Sequence, residues 1–327
     1  MKRLLVIGAG GIAQRHVSAL GRIDTVHFAG VCDISAERAN CLADKVKAPA
    51  FTDAIQALDG ARPDYAAIFT PRRIREPLIE LCLARRIPFF VEKPPCDRVS
   101  TGQRIQDKIA KAGIMHSVGF MHRWNETLNT VLTQLWEEKL SLVTIEFQSP
   151  FATVPAMDTY PDPYLVDRSG GLVGDQGIHY IDIARYICRA EPETISAVGV
   201  NQILPLSDKV TTYDTVCWTL RMDNGILVNH SHTWGASQWA CRLQLITDKS
   251  GVTVDMFNNC AYGKVAGQEF RCNGTVDEFE LQHRGFIAAL AAGNMKLVRS
   301  SYADAMKSFR LTAEINRILY GHTSELE

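Results

Sequence analysis

Over roughly the first third of the chain, short apolar runs alternate with helix-like stretches, the pattern of a parallel sheet covered by helices. The spacing predicts strands over 3–7, 25–32, 50–51, 65–69, 89–91 and 114–119. It places helices over 11–20, 35–45, 54–58, 74–84 and 98–112 between them. The texture changes after Trp124. A helix over 126–138 leads to the strand-like LVTIEFQS, and a long polar, proline-bearing segment over 150–171 follows. Alternating runs then cover 194–203, 214–222, 226–234 and 241–256, the last broken at 249–251, before two terminal helices over 277–292 and 302–319. Such alternation marks strands with one buried face, in an open, mostly antiparallel sheet. The predicted class is therefore α/β plus α+β: an N-terminal Rossmann parallel sheet over 1–122 and a C-terminal domain over 123–327. The C-terminal helix is left free to pack back on the first domain.

Composition narrows the function. With 46% hydrophobic and 22% charged residues the chain is a folded protein with a substantial core. Thirty-five Lys and Arg against thirty-six Asp and Glu, with no long run of either sign, argue against nucleic acid as a partner. The apolar run of MKRLLVIGAGG is too short and glycine-broken for a secretory signal and reads as a buried strand. No stretch is long and apolar enough to span a bilayer. Nine scattered cysteines without a C-x-x-C pair fit reduced thiols in the cytoplasm and offer no zinc spacing, so no metal is expected.

Two stretches carry candidate chemistry. GAGGIA, residues 8–13, directly follows an apolar run and opens a helix. In that context Gly8 permits the tight turn, Gly10 lets backbone approach a pyrophosphate, and Ala13 keeps the helix close to the strand. Gly11 and Ile12 complete the loop at an anion-binding helix start. Asp33 closes the second apolar run, where an acidic side chain accepts hydrogen bonds from a ribose and repels a 2′-phosphate, so NAD is expected over NADP. Arg38 complicates this only as a nearby charge, read as an exposed helical residue. The second stretch is GGLVGDQGIHYID, residues 170–182. A helix beginning near Asp175 would put Asp175 and His179 on one face with Asp182 close behind, a possible proton-handling pair. Alone, the first is ordinarily a cap and the second a hydrogen-bonded filler.

VEKPP, residues 91–95, places Lys93 at the carboxyl edge of the predicted sheet, where open α/β folds bind ligands. With TP at Thr70-Pro71, GFMHRWN at 119–125, the fingerprint and GGLVGDQGIHYID, the chain resembles the oxidoreductase family named for glucose-fructose oxidoreductase and inositol 2-dehydrogenase (Gfo/Idh/MocA). The resemblance covers nearly the whole chain. It implies that Lys93, Asp175 and His179 form the catalytic group. It also implies that Thr70, Pro71, Glu92, Lys93, Arg123 and Trp124 join the fingerprint residues at the cofactor. Two departures stand out. Arg72 and Arg75 occupy positions where relatives often carry Asn and His, so an arginine near the cleft is expected to meet a phosphate or carboxylate. The usual triple glycine is SGG here.

Oxidising a carbinol carbon requires removing the hydroxyl proton and steadying charge on oxygen. His179 is the natural base near neutral pH; Lys93 holds the hydroxyl or serves as base if desolvated; Asp175 orients substrate or His179. Lys93, Arg123, Tyr160, Asp175, His179 and His232 are the candidate substrate contacts, with the loop bearing Asp158, Tyr160, Asp162 and Tyr164 above them. The resemblance implies a sugar, cyclitol or nucleotide sugar. Two other functions stay open: an NAD-dependent glycosidase using transient oxidation, and a non-catalytic NAD-binding sensor or scaffold. A homodimer or homotetramer joined through the C-terminal sheet is expected.

Overall fold

The computed structural model describes residues 1–152 and 162–321. The chain divides into two compact units, Met1–Met121 with Asp277–Met306, and His122–Val276 with Lys307–Glu327.

In the first unit six parallel strands lie in the order β3-β2-β1-β4-β5-β6. They are β1 (Lys2–Ile7), β2 (Val26–Cys32), β3 (Ala50–Phe51), β4 (Tyr65–Ile68), β5 (Phe89–Glu92) and β6 (His116–Gly119). The helices between them are α1 (Gly11–Leu20), α2 (Ala36–Val46), α3 (Ala54–Ala61), α4 (Arg75–Ala84) and α5 (Val99–Ala112). Strand order reverses between β1 and β4, the switch point at which ligands bind doubly wound sheets. Fully buried runs such as Leu4, Leu5 and Val6 fill both faces, as a covered parallel sheet requires. Phe286 and Ile287, far along the chain, join Leu4, Val6, Ala13, Val17, Val31 and Phe90 in one core cluster.

The turn after β1 depends on a glycine. Gly8 has φ +98°, and a Cβ there would lie 2.8 Å from the Phe69 carbonyl oxygen, so no other residue fits without strain.

The second unit opens with α6 (Glu126–Gln134) and β7 (Leu140–Gln148), followed by the short α7 (Val166–Ser169), a π-turn at Val173–Gly177 and α8 (Ile178–Cys188). Then come β8 (Pro192–Val200), β9 (Thr215–Met222), β10 (Leu227–Thr233), β11 (Ala240–Thr247), β12 (Gly251–Asp255), β13 (Cys260–Val265) and β14 (Gln268–Asn273). Two helices end the described chain, α9 (Glu278–Ala292) and α10 (Tyr302–Tyr320). The second sheet has eight strands in the order β14-β13-β12-β11-β7-β10-β9-β8. Only β7 and β10 pair in parallel; every other ladder is antiparallel.

One face of this sheet is core. Val216, Trp218, Leu220, Val228, Val143, Ile145 and Leu243 pack with Tyr180, Ile181, Ala184 and Ile187 of α8. The alternate positions, including Val198, Val200, Leu227 and Tyr262, are exposed. The β13–β14 hairpin lies outside the four alternating runs expected. Gly263 explains the weak signal: at φ +147° its Cα passes so close to β12 that a Cβ would stand 2.2 Å from the Gly251 oxygen. Among the described residues no helix is long and apolar enough to cross a membrane, and no cluster of His, Cys, Asp and Glu is arranged to hold a metal.

Candidate active site

The loop from β1 into α1 has the shape a pyrophosphate needs. Helix α1 starts at the N-cap Gly10 with no side chain closing its first turn, which leaves backbone N–H groups directed outward. A Cβ at Gly10 or Gly11 would meet nothing within 4 Å, so the space beside that backbone is open, while Ile12 is exposed and Ala13 buried. Asp33 braces this loop from the end of β2. Its Oδ2 accepts the Ala9 N–H at 2.8 Å, and its Oδ1 accepts Ser35 N–H at 2.9 Å and Arg38 Nη2 at 2.7 Å. Burial works to raise the Asp33 pKa, but Arg38 and the two backbone donors prevail and hold it below the usual carboxylate range. Arg38 is thus exposed, as expected, and also paired with the acid proposed to read the ribose. The open backbone at Gly10 and Gly11 and the ionised Asp33 fit a dinucleotide.

At the end of β5, Glu92 is buried and its carboxylate is held at both oxygens. His16 Nε2 lies 2.8 Å from Oε1, and the Lys93 N–H donates to Oε2 at 3.1 Å. His283 of α9 closes the chain, its Nε2 2.8 Å from His16 Nδ1, with His16 stacked on Phe69 at 4.2 Å. Gly119 permits this approach, since a Cβ there would come within 2.3 Å of Glu92 Oε1. Lys93 itself is half-buried.

Arg75 corrects an expectation. It does not offer a free guanidinium to a ligand. It is buried and donates to the carbonyls of Thr70, at 2.9 and 2.7 Å, and of Glu92 and Pro94. One fork therefore ties the TP turn after β4 to the EKPP turn after β5. Burial lowers the Arg75 pKa to about 10, with Glu92 opposing the shift. Thr70 is half-buried, Pro71 is exposed, and Arg72 opens a single 3₁₀ turn.

In the second unit, Asp175 lies inside the π-turn and His179 in the first turn of α8. The helical path begins before Asp175, at Gly171, so Asp175 is not the cap that a helix starting there would need. Asp175 is half-buried and His179 is 8% exposed, its ring 5.1 Å from that of His122. Asp182 has a different task. Its carboxylate takes Arg123 Nε at 2.7 Å and Nη2 at 2.6 Å, and Ser308 Oγ at 2.8 Å, all buried. Arg123, expected at cofactor and substrate, is 4% exposed, and this two-pronged pairing ties it to α8. Trp124 is half-buried in the adjoining 3₁₀ turn.

His232, expected among the substrate contacts, lies on β10. It is 1% exposed, its Nδ1 is 3.3 Å from His230 Nε2, and its Nε2 is 3.2 Å from Gln176 Oε1. Trp234 Nε1 donates to the same oxygen at 2.8 Å. Burial drives the His230 pKa down to about 3 and that of His232 well below the ordinary value. Tyr164 is core, stacked 5.4 Å from Phe151, and burial with Asp175 nearby raises its pKa to about 12. Asp158 and Tyr160 lie outside the described residues. His16 and Gln176 were not singled out in advance. A signal for the first existed: Ala13, His16, Val17 and Leu20 form one stripe of α1, all buried.

The buried neutral histidines set a pH dependence. His230, His232 and, through burial and the neighbouring His16, His283 have folded pKa values below the unfolded value of about 6.5. Below that value the unfolded chain takes up more protons than the folded one. Stability is therefore complete above about pH 6.5 and declines on acidification by up to about 1.4 kcal/mol per pH unit for each histidine, until the folded sites protonate. The urea midpoint is expected to drop between pH 7 and pH 5, and to drop less in His230→Gln; equal midpoints at the two pH values would contradict neutral histidines.

Residues 2–120 match the model described as the Gfo/Idh/MocA oxidoreductase family, NAD-binding Rossmann fold, and residues 139–253 match the family's C-terminal domain. The chain is 25% identical to inositol 2-dehydrogenase of Rhizobium meliloti over 97% of this chain and 98% of that one. It is 23% identical to glucose-6-phosphate 3-dehydrogenase of Bacillus subtilis over 65% of this chain. For the first relatives matched, the alignment spans only 62% to 66% of their length. Among solved structures, UDP-N-acetylglucosamine 3-dehydrogenase from Acidithiobacillus ferrooxidans shares the fold with a TM-score of 0.84, at 20% identity and 98% coverage of each chain. With both of its domains matched by the models for that family, in order and over most of its length, this chain belongs to the Gfo/Idh/MocA oxidoreductases.

Proposed function

We propose that the protein is an NAD-dependent dehydrogenase acting on a secondary hydroxyl of a sugar, cyclitol or nucleotide sugar. The observation that carries this reading is the lysine placed by the EKP turn: Lys93 follows β5 directly, its backbone N–H on the buried Glu92, in the same unit as a glycine cradle open to a dinucleotide. Gly8, Gly10, Gly11, Ile12 and Asp33 hold the cofactor, with Thr70 and Pro71 at the next strand end. When bound, NAD supplies the hydride acceptor. His179 removes the hydroxyl proton, Lys93 steadies the developing charge on oxygen, and Asp175 orients the reacting group. Inositol 2-dehydrogenase and the two 3-dehydrogenases among the relatives support a polyhydroxylated substrate.

A panel of myo-inositol, glucose 6-phosphate and UDP-N-acetylglucosamine tests the chemistry through NADH formation. Lys93→Ala and His179→Ala are expected to cut turnover by roughly 100-fold to 10,000-fold while NAD affinity stays within about a few-fold. Wild-type turnover in both variants would end the catalytic assignment.

The ionised Asp33 supports NAD over NADP, because its charge opposes a 2′-phosphate. Arg38 shares that carboxylate, so Asp33→Asn is expected to release Arg38 and tighten NADPH binding. Tighter NADPH than NADH binding by the unaltered chain, measured by fluorescence quenching, would reverse the assignment.

The exposed outer face of the second sheet, with Val198, Val200 and Tyr262, supports a homodimer or homotetramer. Sedimentation equilibrium is expected to give two or four chains; a monomer at micromolar concentration would refute this.

A further inference from the structure

The amide of Gln176 is oriented without ambiguity. Trp234 Nε1 can only donate, so the Gln176 atom 2.8 Å from it is the oxygen, and the other terminal atom is Nε2. His232 confirms the sense: its Nε2 is 3.2 Å from the same oxygen and must carry a hydrogen to bond to it. His232 Nδ1 is then an acceptor, matched to His230 Nε2 at 3.3 Å. With both rings neutral, His232 carries its hydrogen on Nε2, toward the amide oxygen. Trp234 and His232 are 0% and 1% exposed, so the oxygen end of the amide is buried in the core.

The nitrogen end is placed differently. Gln176 is half-buried, and among the described residues its Nε2 has no acceptor. An amide pinned at its oxygen cannot rotate to present anything else, so this position offers two donor hydrogens and no acceptor. It lies on the π-turn one residue after Asp175 and three before His179. π-turns of this kind frequently mark functional positions in helices.

We propose that Gln176 is a specificity-determining residue, donating from Nε2 to a hydroxyl oxygen of a polyhydroxylated ligand bound beside Asp175 and His179. This rests on the dehydrogenase reading for the identity of the site, while the donor contact itself is tested by binding. His230, His232 and Trp234 act behind it as positioning residues: they hold the amide and touch no ligand. A site built around a fixed donor discriminates strongly against an analogue lacking the matching hydroxyl, because the donor, once covered by the ligand, is then left without an acceptor.

Gln176→Glu keeps an acceptor for Trp234 and His232 and replaces the donor with an oxygen. Calorimetry with myo-inositol, glucose 6-phosphate and UDP-N-acetylglucosamine, NAD present, is expected to show about 10-fold to 100-fold weaker binding of the preferred probe in the variant, with NAD affinity unchanged. Equal affinity would overturn the proposal. A second measurement requires only that the unaltered protein fold: in protein labelled with ¹⁵N-glutamine, the side-chain amide signal missing from the variant is expected to move when the probe binds. Turnover without movement of that signal would overturn the proposal. Movement of the signal without NADH formation would uphold the Gln176 contact and remove the dehydrogenase reading. Failure of every probe to bind would remove the proposed ligand class.

Discussion

A carboxylate that leaves water must be met by donors already in place, and Glu92 is where this chain meets that demand at the end of β5. One oxygen faces His16 and the other takes the Lys93 N–H. Leaving a buried hydrogen-bonding group without its partner costs about 1–3 kcal/mol, so the arrangement holds only if α1, β5 and the turn into Lys93 keep their positions together. His283 and Gly119 extend the constraint to α9 and β6. Arg75 then fixes the outer side of the same turn through carbonyls. The lysine proposed to touch substrate is thus carried on a backbone whose polar groups are accounted for from several directions.

The second unit solves the same problem with a different pairing. Asp182 anchors α8 to Arg123 and Ser308, while the residues on the turn before it, Asp175 and Gln176, remain half-buried. Within one motif, the last acid is buried in a structural pairing and the first is half-buried. Burial separates them, since the two differ little in sequence context.

The sheets were legible because their signals are cumulative. Unbroken apolar runs mark strands covered on both faces, and strict alternation in β9 and β10 marks a sheet with one face exposed. Gly8 and Asp33 were legible for a local reason, since a strand-turn-helix needs a particular backbone and a particular strand end. What escaped the sequence were pairings across distance. Nothing near Arg75 indicates that its fork will meet carbonyls at 92 and 94, and nothing near Arg123 announces Asp182, 59 positions on. His232 was named from the sequence as a substrate contact, but its burial depended on the register that sets it beside Phe147 of β7. The β13–β14 hairpin was hidden by Gly263, which its close approach to β12 requires.

The order of strands also fixes an order of events during synthesis. Strand β7 sits in the middle of the second sheet, yet its partners β10 and β11 begin at Leu227 and Ala240. A ribosome must therefore make some eighty further residues before β7 can acquire a single ladder bond, and its apolar face waits until then. The first unit is delayed longer still. Phe286 and His283 belong to its core, so the six strands completed by Gly119 lack one wall until α9 emerges. Both units therefore finish folding late, whatever the stability of the strands already made.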